Sequence, residues 1–579
     1  MARLDVTHWA PDREDTGVPD IVASPQADAD VRQSREPWRV GGVLSALVTL
    51  VLLVPGVWRS VVAYHLNDDD FSVVFNSCTP YFDLRNWTHW FTQGYSNYFV
   101  NYPGWPALQS NFARPVLNLS FYLEGMLAPS LGEPAFLIAG YLALFASVFA
   151  LNGVIRTYAG AGAWTAAALS VAVGLSPVWY WSLDSGSSAT NTLALAFSIG
   201  ALLFLDPVRG VPRRWRLALC VALQVLAIAS HETAAVIPFV CVALLFALAP
   251  RRPRLGELLP FALPVAYFVL ERLLLRGTGG VYAFSGLGPA QVAKRLAGFV
   301  LMPVLPSDIA GWLSAPTRVG AAAATSFALV SLANVALVLV VVFGFRRRPG
   351  FRAWAMVAAV AMASVPGVIM GKEPRFHGLG LAVGLIAVLY FSESWGDRRW
   401  RSAVVALVLV SQMTLFLASV ALIQDQTVAR LRFAGEFYDA TRTAVQRTRP
   451  RMVVLENDTV GGYGALFMLR MAQWPHADGR LVVVNSYTGD PSDDARSVLA
   501  TASSTLTLRT TFGAGQSAVF PGAIPDFSLP SSGFQYSDVQ FDGSGAARAF
   551  RASGEILPGS TLVVGADPRT GSMRVPRTF

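Results

Sequence analysis

Blocks of about twenty apolar residues recur along the chain and are separated by short polar loops. A helix of about twenty residues crosses the roughly 30 Å of hydrocarbon in a bilayer, so this spacing predicts a polytopic membrane protein. Of the 579 residues, 53% are hydrophobic and 14% are charged, whereas about a quarter of a soluble globular chain is charged. This composition excludes a disordered protein, a nucleic-acid-binding tail protein and an ordinary cytosolic enzyme.

The apolar blocks predict about eleven transmembrane helices. The candidate spans lie near 40–57, 135–155, 163–183, 189–205, 215–230, 233–249, 256–275, 322–343, 353–370, 376–393 and 402–422. They divide the chain into a disordered cytoplasmic tail at 1–39, a transmembrane domain at 40–422 and an extracytoplasmic C-terminal domain at 423–579. A long outer loop, 58–134, separates the first two spans.

Arginine-rich segments orient the spans. They precede the first span and follow every even-numbered span, with Arg39, Arg156, Arg209, Arg213, Arg214, Arg216, Arg251, Arg252, Arg254, Arg346, Arg347, Arg348, Arg352, Arg398, Arg399 and Arg401 among their members. When the spans alternate, all these segments lie on one side, which the positive-inside rule makes cytoplasmic. We therefore expect a multi-pass protein of the cell membrane with a cytoplasmic N-terminus and an extracytoplasmic C-terminal domain.

The C-terminal segment has the pattern of a small α/β domain. Residues 452–457 and 480–485 are apolar runs typical of strands, and the stretch between them, 463–473, has a helical pattern. Short strands are also predicted in 504–510 and 560–565. The predicted fold class is thus an all-α polytopic membrane protein with a small extracytoplasmic α/β C-terminal domain.

Three adjacent aspartates, Asp68, Asp69 and Asp70, follow the first span in the outer loop. Adjacent carboxylates repel one another, and beside a membrane they are costly unless a proton, a cation or a reaction uses them. The functional interpretation is that Asp69 or Asp70 is a general base for an acceptor hydroxyl. Asp68 and Asp70 are also candidate ligands for Mg²⁺ or Mn²⁺. The alternative is the solvated start of a loop.

Charged residues recur in other outer turns. Arg114 precedes Pro115, where a helix has not yet begun, and His231 and Glu232 lie between two spans with almost no loop. An ionisable pair at that depth is a functional candidate. The alternatives are an interfacial anchor for Arg114 and a hairpin turn that meets lipid headgroups for the pair.

Lys372, Arg375 and His377 form a compact basic group between the ninth and tenth spans. Such cations bind phosphate well. The alternative is a positively charged edge of the protein that contacts anionic lipid. Acids and bases from four outer turns then meet on one face of the membrane, which suits a phosphate-linked donor and a hydroxyl acceptor. We assign five residues to the binding of the donor phosphate or the substrate: Arg114, His231, Glu232, Lys372 and Arg375.

The order of these motifs resembles the GT-C membrane glycosyltransferases, in particular the branch of protein O-mannosyltransferases and their TPR-bearing relatives. The matches are Asp69-Asp70 with Asn76, Arg114-Pro115 with Leu119-Ser120-Phe121, and Ser230-His231-Glu232-Thr233-Ala234, in which His231 stands where Lys is usual. A fourth, looser match is Glu373-Pro374-Arg375-Phe376 with Leu379. The likeness covers about residues 40–395.

This resemblance implies a polyprenyl-phosphate-linked sugar donor, an outer-facing active site, inversion at the anomeric carbon and a first-loop aspartate as base. The acceptor would be a glycan, a lipid or a protein, and the transferred sugar a hexose or a pentose. Two other classes stay open: a transporter or flippase of lipid-linked saccharides, and a non-catalytic membrane scaffold. A transporter usually places its polar residues near the membrane midplane, whereas most charges here lie at the outer ends of the spans.

Overall fold

The computed structural model describes most of the chain between residue 37 and the C-terminus. The described residues are 37–66, 69–78, 83–92, 113–176, 179, 183, 185–210, 212–274, 318–370, 378–393, 398–456, 468–469, 471–474, 479–488, 493–513, 517–519, 534–541, 547–569, 574 and 576–579. The predicted disordered tail lies outside them up to residue 36, as does most of the helix predicted at 463–473.

The described part up to residue 448 is helical. Its α-helices are α1 Pro37–Val62, α2 Asp69–Ser77, α3 His89–Thr92, α4 Pro115–Leu131, α5 Ile138–Ala159, α6 Ala163–Gly174, α7 Ala189–Leu205, α8 Arg214–Ser230, α9 Ile237–Leu248, α10 Leu255–Leu258, α11 Ala262–Leu274, α12 Arg318–Arg347, α13 Phe351–Met370, α14 Gly378–Ser392 and α15 Arg398–Thr448. Short 3₁₀ turns precede α5 at Glu133–Leu137 and α9 at Glu232–Val236.

Three helical stretches are long and apolar enough to cross a membrane: Glu133–Ala159, Ala189–Arg209 and Arg399–Leu417. Five further apolar helices in the described part are shorter: Arg39–Val54, Ala163–Gly174, Glu232–Leu248, Phe351–Gly367 and Gly378–Ser392. The structure thus supports three of the eleven predicted spans by length and composition, and the remaining spans stay predictions.

The helices share one apolar core because several of them are apolar on every side. A helix that carries no polar face is stable only when its whole circumference is covered. Leu144 and Val154 of α5, Leu202 of α7, Leu244 of α9 and Ile386 of α14 are fully buried in this core. Helix α5 packs between α1 and α7, α8 packs on α7, and α9 packs on α13.

Arginines gather at one end of the bundle. Arg216 at the start of α8 binds Asp206 at the end of α7, and Arg352 at the start of α13 donates to the Ala249 carbonyl at the end of α9. Arg401 of α15 donates to the carbonyl of Ala159, the last residue of α5. We call this the basic end. The grouping agrees with the predicted sidedness, and which end faces the cytoplasm stays a prediction.

A second apolar core joins the outer loop to the C-terminal region. It contains Phe71 of α2 and Phe121 of α4 together with Phe437 of α15 and the strand residues Val453 and Leu562. Helix α15 has 51 residues, about 75 Å at 1.5 Å per residue, and its last part lies in this core. The residues from 423 to 448, predicted to begin the C-terminal domain, therefore continue a helix that starts in the bundle.

The C-terminal region contains two sheets. Their strands are β1 Met452–Glu456, β2 Arg480–Val483, β3 Ser486–Thr488, β4 Arg496–Ala502, β5 Thr505–Thr511, β6 Ser517–Val519, β7 Phe534–Phe541, β8 Ala547–Glu555, β9 Thr561–Gly565 and β10 Arg577–Thr578. The first sheet has the order β10-β9-β1-β2, with β1 parallel to both neighbours. The second is antiparallel, in the order β3-β6-β8-β5-β4 with β7 also on β8. The predicted strands correspond to β1, β2, β5 and β9.

Candidate functional site

Asp70 is buried in the first turn of α2 and is held by three donors. The Tyr64 hydroxyl donates to Asp70 Oδ2 at 2.7 Å. The Ser185 hydroxyl and the Ser187 backbone N–H donate to Oδ1 at 2.9 and 2.7 Å. The Gly186 N–H in turn donates to the Tyr64 hydroxyl at 3.2 Å. The carboxylate therefore fixes the turn that leads into α7 against the end of the first helix.

Burial shifts the pKa of the Asp70 carboxyl group. It raises the pKa of Asp70, and the donors from Ser187 and Tyr64 act in the opposite direction by stabilising the charged form. Burial, together with the neighbouring Asp70 carboxylate, also raises the pKa of Tyr64 well above its usual value. The Tyr64 hydroxyl thus stays protonated and remains a donor at neutral pH.

The start of α7 connects Asp70 to the histidine–glutamate motif. Thr190, in the first turn of α7, donates its hydroxyl to the Ser230 carbonyl at the end of α8. Residues 185–190 consequently touch Asp70 on one side and the residue before His231 on the other. We call Ser185–Gly186–Ser187 the serine turn.

Arg114 and Glu232 form a buried, two-pronged ion pair. Arg114 Nη2 lies 3.0 Å from Glu232 Oε1 and Nε lies 3.3 Å from Oε2, and each side chain is 9% exposed. A planar guanidinium matches a carboxylate in this geometry. The pair joins the start of α4, which Pro115 sets as the first helical residue, to the 3₁₀ turn before α9.

His231 caps that 3₁₀ turn. Its Nδ1 accepts the backbone N–H of Thr233 at 3.2 Å, and its Nε2 lies 3.4 Å from Arg114 Nη2. The imidazole thus supplies the short-range acceptor that an N-cap position requires. Lysine, the residue usual at this place in the resembling family, carries only donors and could not cap the turn in this way.

Two further charged residues extend the cluster on α11. Glu271 is buried, and its Oε1 accepts the backbone N–H of Ala113 at 3.0 Å, while its Oε2 has no hydrogen-bond partner among the described residues. Arg272 lies within electrostatic range of Glu232, Glu271 and Arg114. Two carboxylates and two guanidiniums therefore meet around the residue that begins α4.

A further buried carboxyl group, that of Glu124, lies on helix α4. Its Oε1 accepts the backbone N–H of Ala139, in the first turn of α5, at 2.6 Å. Its Oε2 has no hydrogen-bond partner in the part of the chain that the structure describes. Burial raises the pKa of Glu124 to about 8. It likewise raises the pKa of Cys78, which donates to the Phe121 carbonyl, to about 12.

The predicted site residues fall into two groups. Asp70, Arg114, His231 and Glu232 lie at the end of the bundle opposite the basic end. Asp70 contacts the serine turn, Thr190 at the start of α7 contacts Ser230, and Glu232 pairs with Arg114. Asp69 is the first residue of α2. Asp68, Lys372 and Arg375 lie outside the described residues, so their assignments stay predictions.

Sequence reasoning missed the serine turn, Glu271 and Arg272. Glu271 and Arg272 were visible as adjacent charges inside the apolar block 256–275, which is itself a functional signal. The serine turn had no such signal, because small hydroxyl residues between two spans are common.

Asp70 is engaged by several donors, and its assignment as a metal ligand stays a prediction. Both of its oxygens already accept hydrogen bonds from Tyr64, Ser185 and Ser187. Within the described segments, no group of three or more His, Cys, Asp or Glu residues could hold a metal ion.

The chain is similar to two solved structures of one protein. The crystal structure of ArnT from Cupriavidus metallidurans bound to undecaprenyl phosphate superposes with a TM-score of 0.42 at 15% identity, over 76% of this chain and 85% of that one. The same protein in the apo state gives a TM-score of 0.38 at 15% identity, with the same coverage. No protein-family model matches the sequence. No curated protein matches it either.

Proposed function

We propose that this chain is a membrane glycosyltransferase of the GT-C type, which moves a sugar from a polyprenyl-phosphate-linked donor to a hydroxyl acceptor on the extracytoplasmic side. One observation carries the proposal. Asp70, Arg114 and the His231–Glu232 pair come from three separate motifs of the resembling superfamily. Asp70 and the residue before His231 both contact the segment 185–190, and Arg114 pairs with Glu232.

Asp69 is the general base in this proposal. A base needs a free lone pair within about 3 Å of the proton that it takes. Asp70 is fully buried, which keeps an acceptor hydroxyl away from it, and it accepts three hydrogen bonds from the protein, so its role in this proposal is to hold the start of α2 in place. The base function then falls to the neighbouring aspartate at position 69.

Cations hold the donor phosphate. Lys372 and Arg375 are the proposed phosphate ligands, because positive charge placed where the leaving phosphate gains negative charge stabilises the transition state. The guanidinium of Arg114 is already paired with the carboxylate of Glu232. It therefore orients the His231–Glu232 turn, and Arg272 is a second cation within electrostatic range of Glu232.

The substrate class follows from the family resemblance. It favours an inverting transfer of a hexose or a pentose, with a glycan, a lipid or a protein hydroxyl as acceptor. The O-mannosyltransferase branch rests on the four motifs alone. A divalent cation at Asp68 remains part of the hypothesis, and a chelator tests it.

The decisive experiment is sugar transfer from defined polyprenyl-phosphate sugars by the purified full-length chain. Asp69→Asn should reduce turnover by about a hundredfold or more, since general bases contribute factors of that order. Asp83→Asn is the matched control. It lies in the same outer loop, is exposed, and contacts Arg85 at 2.9 Å, so we expect it to keep full activity.

The same assay separates the competing classes. A transporter would move the lipid-linked sugar across vesicles without consuming it, and a scaffold would do neither. Full transfer by Asp69→Asn would overturn the assignment of the base. If the chain transferred sugar from no donor but moved lipid-linked saccharides across vesicles, the proposed reaction would be overturned.

A further inference from the structure

A cavity of about 430 Å³ opens at the basic end, far along the helices from the site described above. It lies where the end of α9 meets the start of α13 and the last turn of α14. Its lining residues are Phe246, Ala249, Pro250, Arg251, Arg252, Arg348, Pro349, Gly350, Phe351, Arg352, Ala353 and Tyr390. Four of the lining residues are arginines, and no lining residue is acidic.

Two of the arginines, Arg252 and Arg352, are held in place by contacts within the protein. Arg352 donates to the carbonyls of Ala249 and Pro250 at 3.0 Å each. The Arg252 guanidinium stands 4.9 Å above the ring of Phe351, which itself packs edge-on against Phe246. A guanidinium fixed by carbonyls or by a ring loses less side-chain entropy when it binds an anion.

Little negative charge offsets these cations. Glu257 pairs with Arg251, whereas Arg252, Arg348 and Arg352 form no ion pair with a carboxylate in the described segments. Three guanidiniums thus line one cavity without an ion-pair partner among the described residues.

The start of α13 lies at the cavity. Gly350, Phe351, Arg352 and Ala353 line it, and the first backbone hydrogen bond of this 20-residue helix runs from Trp354 to Gly350. The amides before Trp354 lack intrahelical acceptors, and the helix dipole places partial positive charge there. Amides and guanidiniums together form the typical setting for a phosphate group.

We propose that this cavity binds a phosphate group, carried by the headgroup of an anionic phospholipid or free in solution. The inference does not depend on the proposed transferase activity. It gives the basic end a specific anion site, beyond the general attraction between basic loops and an anionic membrane surface.

The test measures binding to the full-length chain in detergent by native mass spectrometry, with dioctanoyl phosphatidylglycerol as the lipid probe and inorganic phosphate as the soluble probe. The cavity variant is Arg252→Gln with Arg348→Gln. The control variant, Arg213→Gln with Arg214→Gln, removes the same charge from exposed residues that do not line the cavity.

We expect the cavity variant to bind at least one probe about tenfold more weakly, since charged hydrogen bonds are lost, and the control variant to bind like the wild type. A loss confined to phosphatidylglycerol assigns the lipid, and a loss for inorganic phosphate assigns the free anion. Equal behaviour of the two variants with both probes would overturn the proposal. Arg348→Gln alone, at an exposed side chain, repeats the test if the double variant unfolds.

Discussion

Two carboxyl groups of the outer loop are buried, and their partners decide how each behaves. Asp70 receives three hydrogen bonds, which compensate for the water that it has lost. Glu124 receives one, and its second oxygen has no hydrogen-bond partner in the described segments. A buried carboxyl group with so little compensation is more stable as the neutral acid.

Glu124 therefore makes stability depend on pH. Its folded-state pKa of about 8 lies above its ordinary value of 4.5, so the folded state binds the extra proton between these limits. This contribution is complete below about pH 4.5 and is lost as the pH rises towards 8. Glu124→Gln stays neutral and keeps the acceptor for Ala139. We expect its apparent Tm to fall less than that of the wild type between pH 5 and pH 9.

The matched control for this pH series is Glu436→Gln, at an exposed glutamate of α15. It should reproduce the wild-type decline in Tm. If the curves of Glu124→Gln and the wild type ran parallel over the whole range, Glu124 would be ionised in the folded protein and the argument from burial would be wrong.

At the scale of elements, the serine turn is the joint between α2 and α7, and its glycine is required by space. A Cβ atom at Gly186 would lie 2.8 Å from both the Phe121 ring and the Phe136 carbonyl. A backbone carbonyl cannot move aside cheaply. Gly186→Ala should therefore cost about 1–3 kcal/mol and lower the Tm, and transfer activity should fall because Ser187 is displaced from Asp70.

Gly162→Ala is the control for Gly186→Ala. It precedes α6, and a Cβ atom there would meet nothing within 4 Å. The added methyl group should leave the Tm nearly unchanged. Equal Tm values for the two variants would show that the serine turn adjusts without strain.

The Arg114–Glu232 pair connects α4 to the turn before α9, so removing either partner leaves a buried charge. Arg114→Met or Glu232→Met alone should destabilise the chain by about 3–5 kcal/mol, and the double variant by less than the sum. The same cycle on the exposed Arg251–Glu257 pair should show little coupling. Additive effects at Arg114 and Glu232 would mean that the ion pair does not hold the two elements together.

The motifs singled out candidate residues more readily than they predicted the contacts of those residues. Charged residues near apolar blocks are conspicuous in a sequence, which is why Asp70, Arg114 and Glu232 were predicted as site residues. Their partners are set by tertiary packing: the pairing of Arg114 with Glu232 joins residues 118 positions apart. The serine turn acts mainly through backbone amides, which every residue except proline possesses, so no side-chain pattern identifies it.

At the scale of the whole molecule, apolar blocks predicted where helices run but not where every helix ends. Helix α7 begins at Ala189, as predicted, because the block begins there. Helix α15 continues to Thr448, beyond the predicted limit of 422. Its later part is amphipathic, with Leu431, Phe437 and Val445 buried on one face. A search for continuous apolar runs detects spans and overlooks such a helix.

The separation of the two ends gives the last prediction, because the proposed site and the basic end must face opposite sides of the membrane. The three native cysteines are buried, so a membrane-impermeant maleimide should report mainly introduced thiols. Positions 83, 494, 213 and 254 are all exposed. Asp83→Cys and Asp494→Cys should be labelled in intact cells, whereas Arg213→Cys and Arg254→Cys should be labelled only after permeabilisation. Labelling of positions 83 and 213 from the same side would contradict the arrangement. The proposed base and the arginine cavity would then share one compartment, and an extracytoplasmic transfer reaction would have to be abandoned.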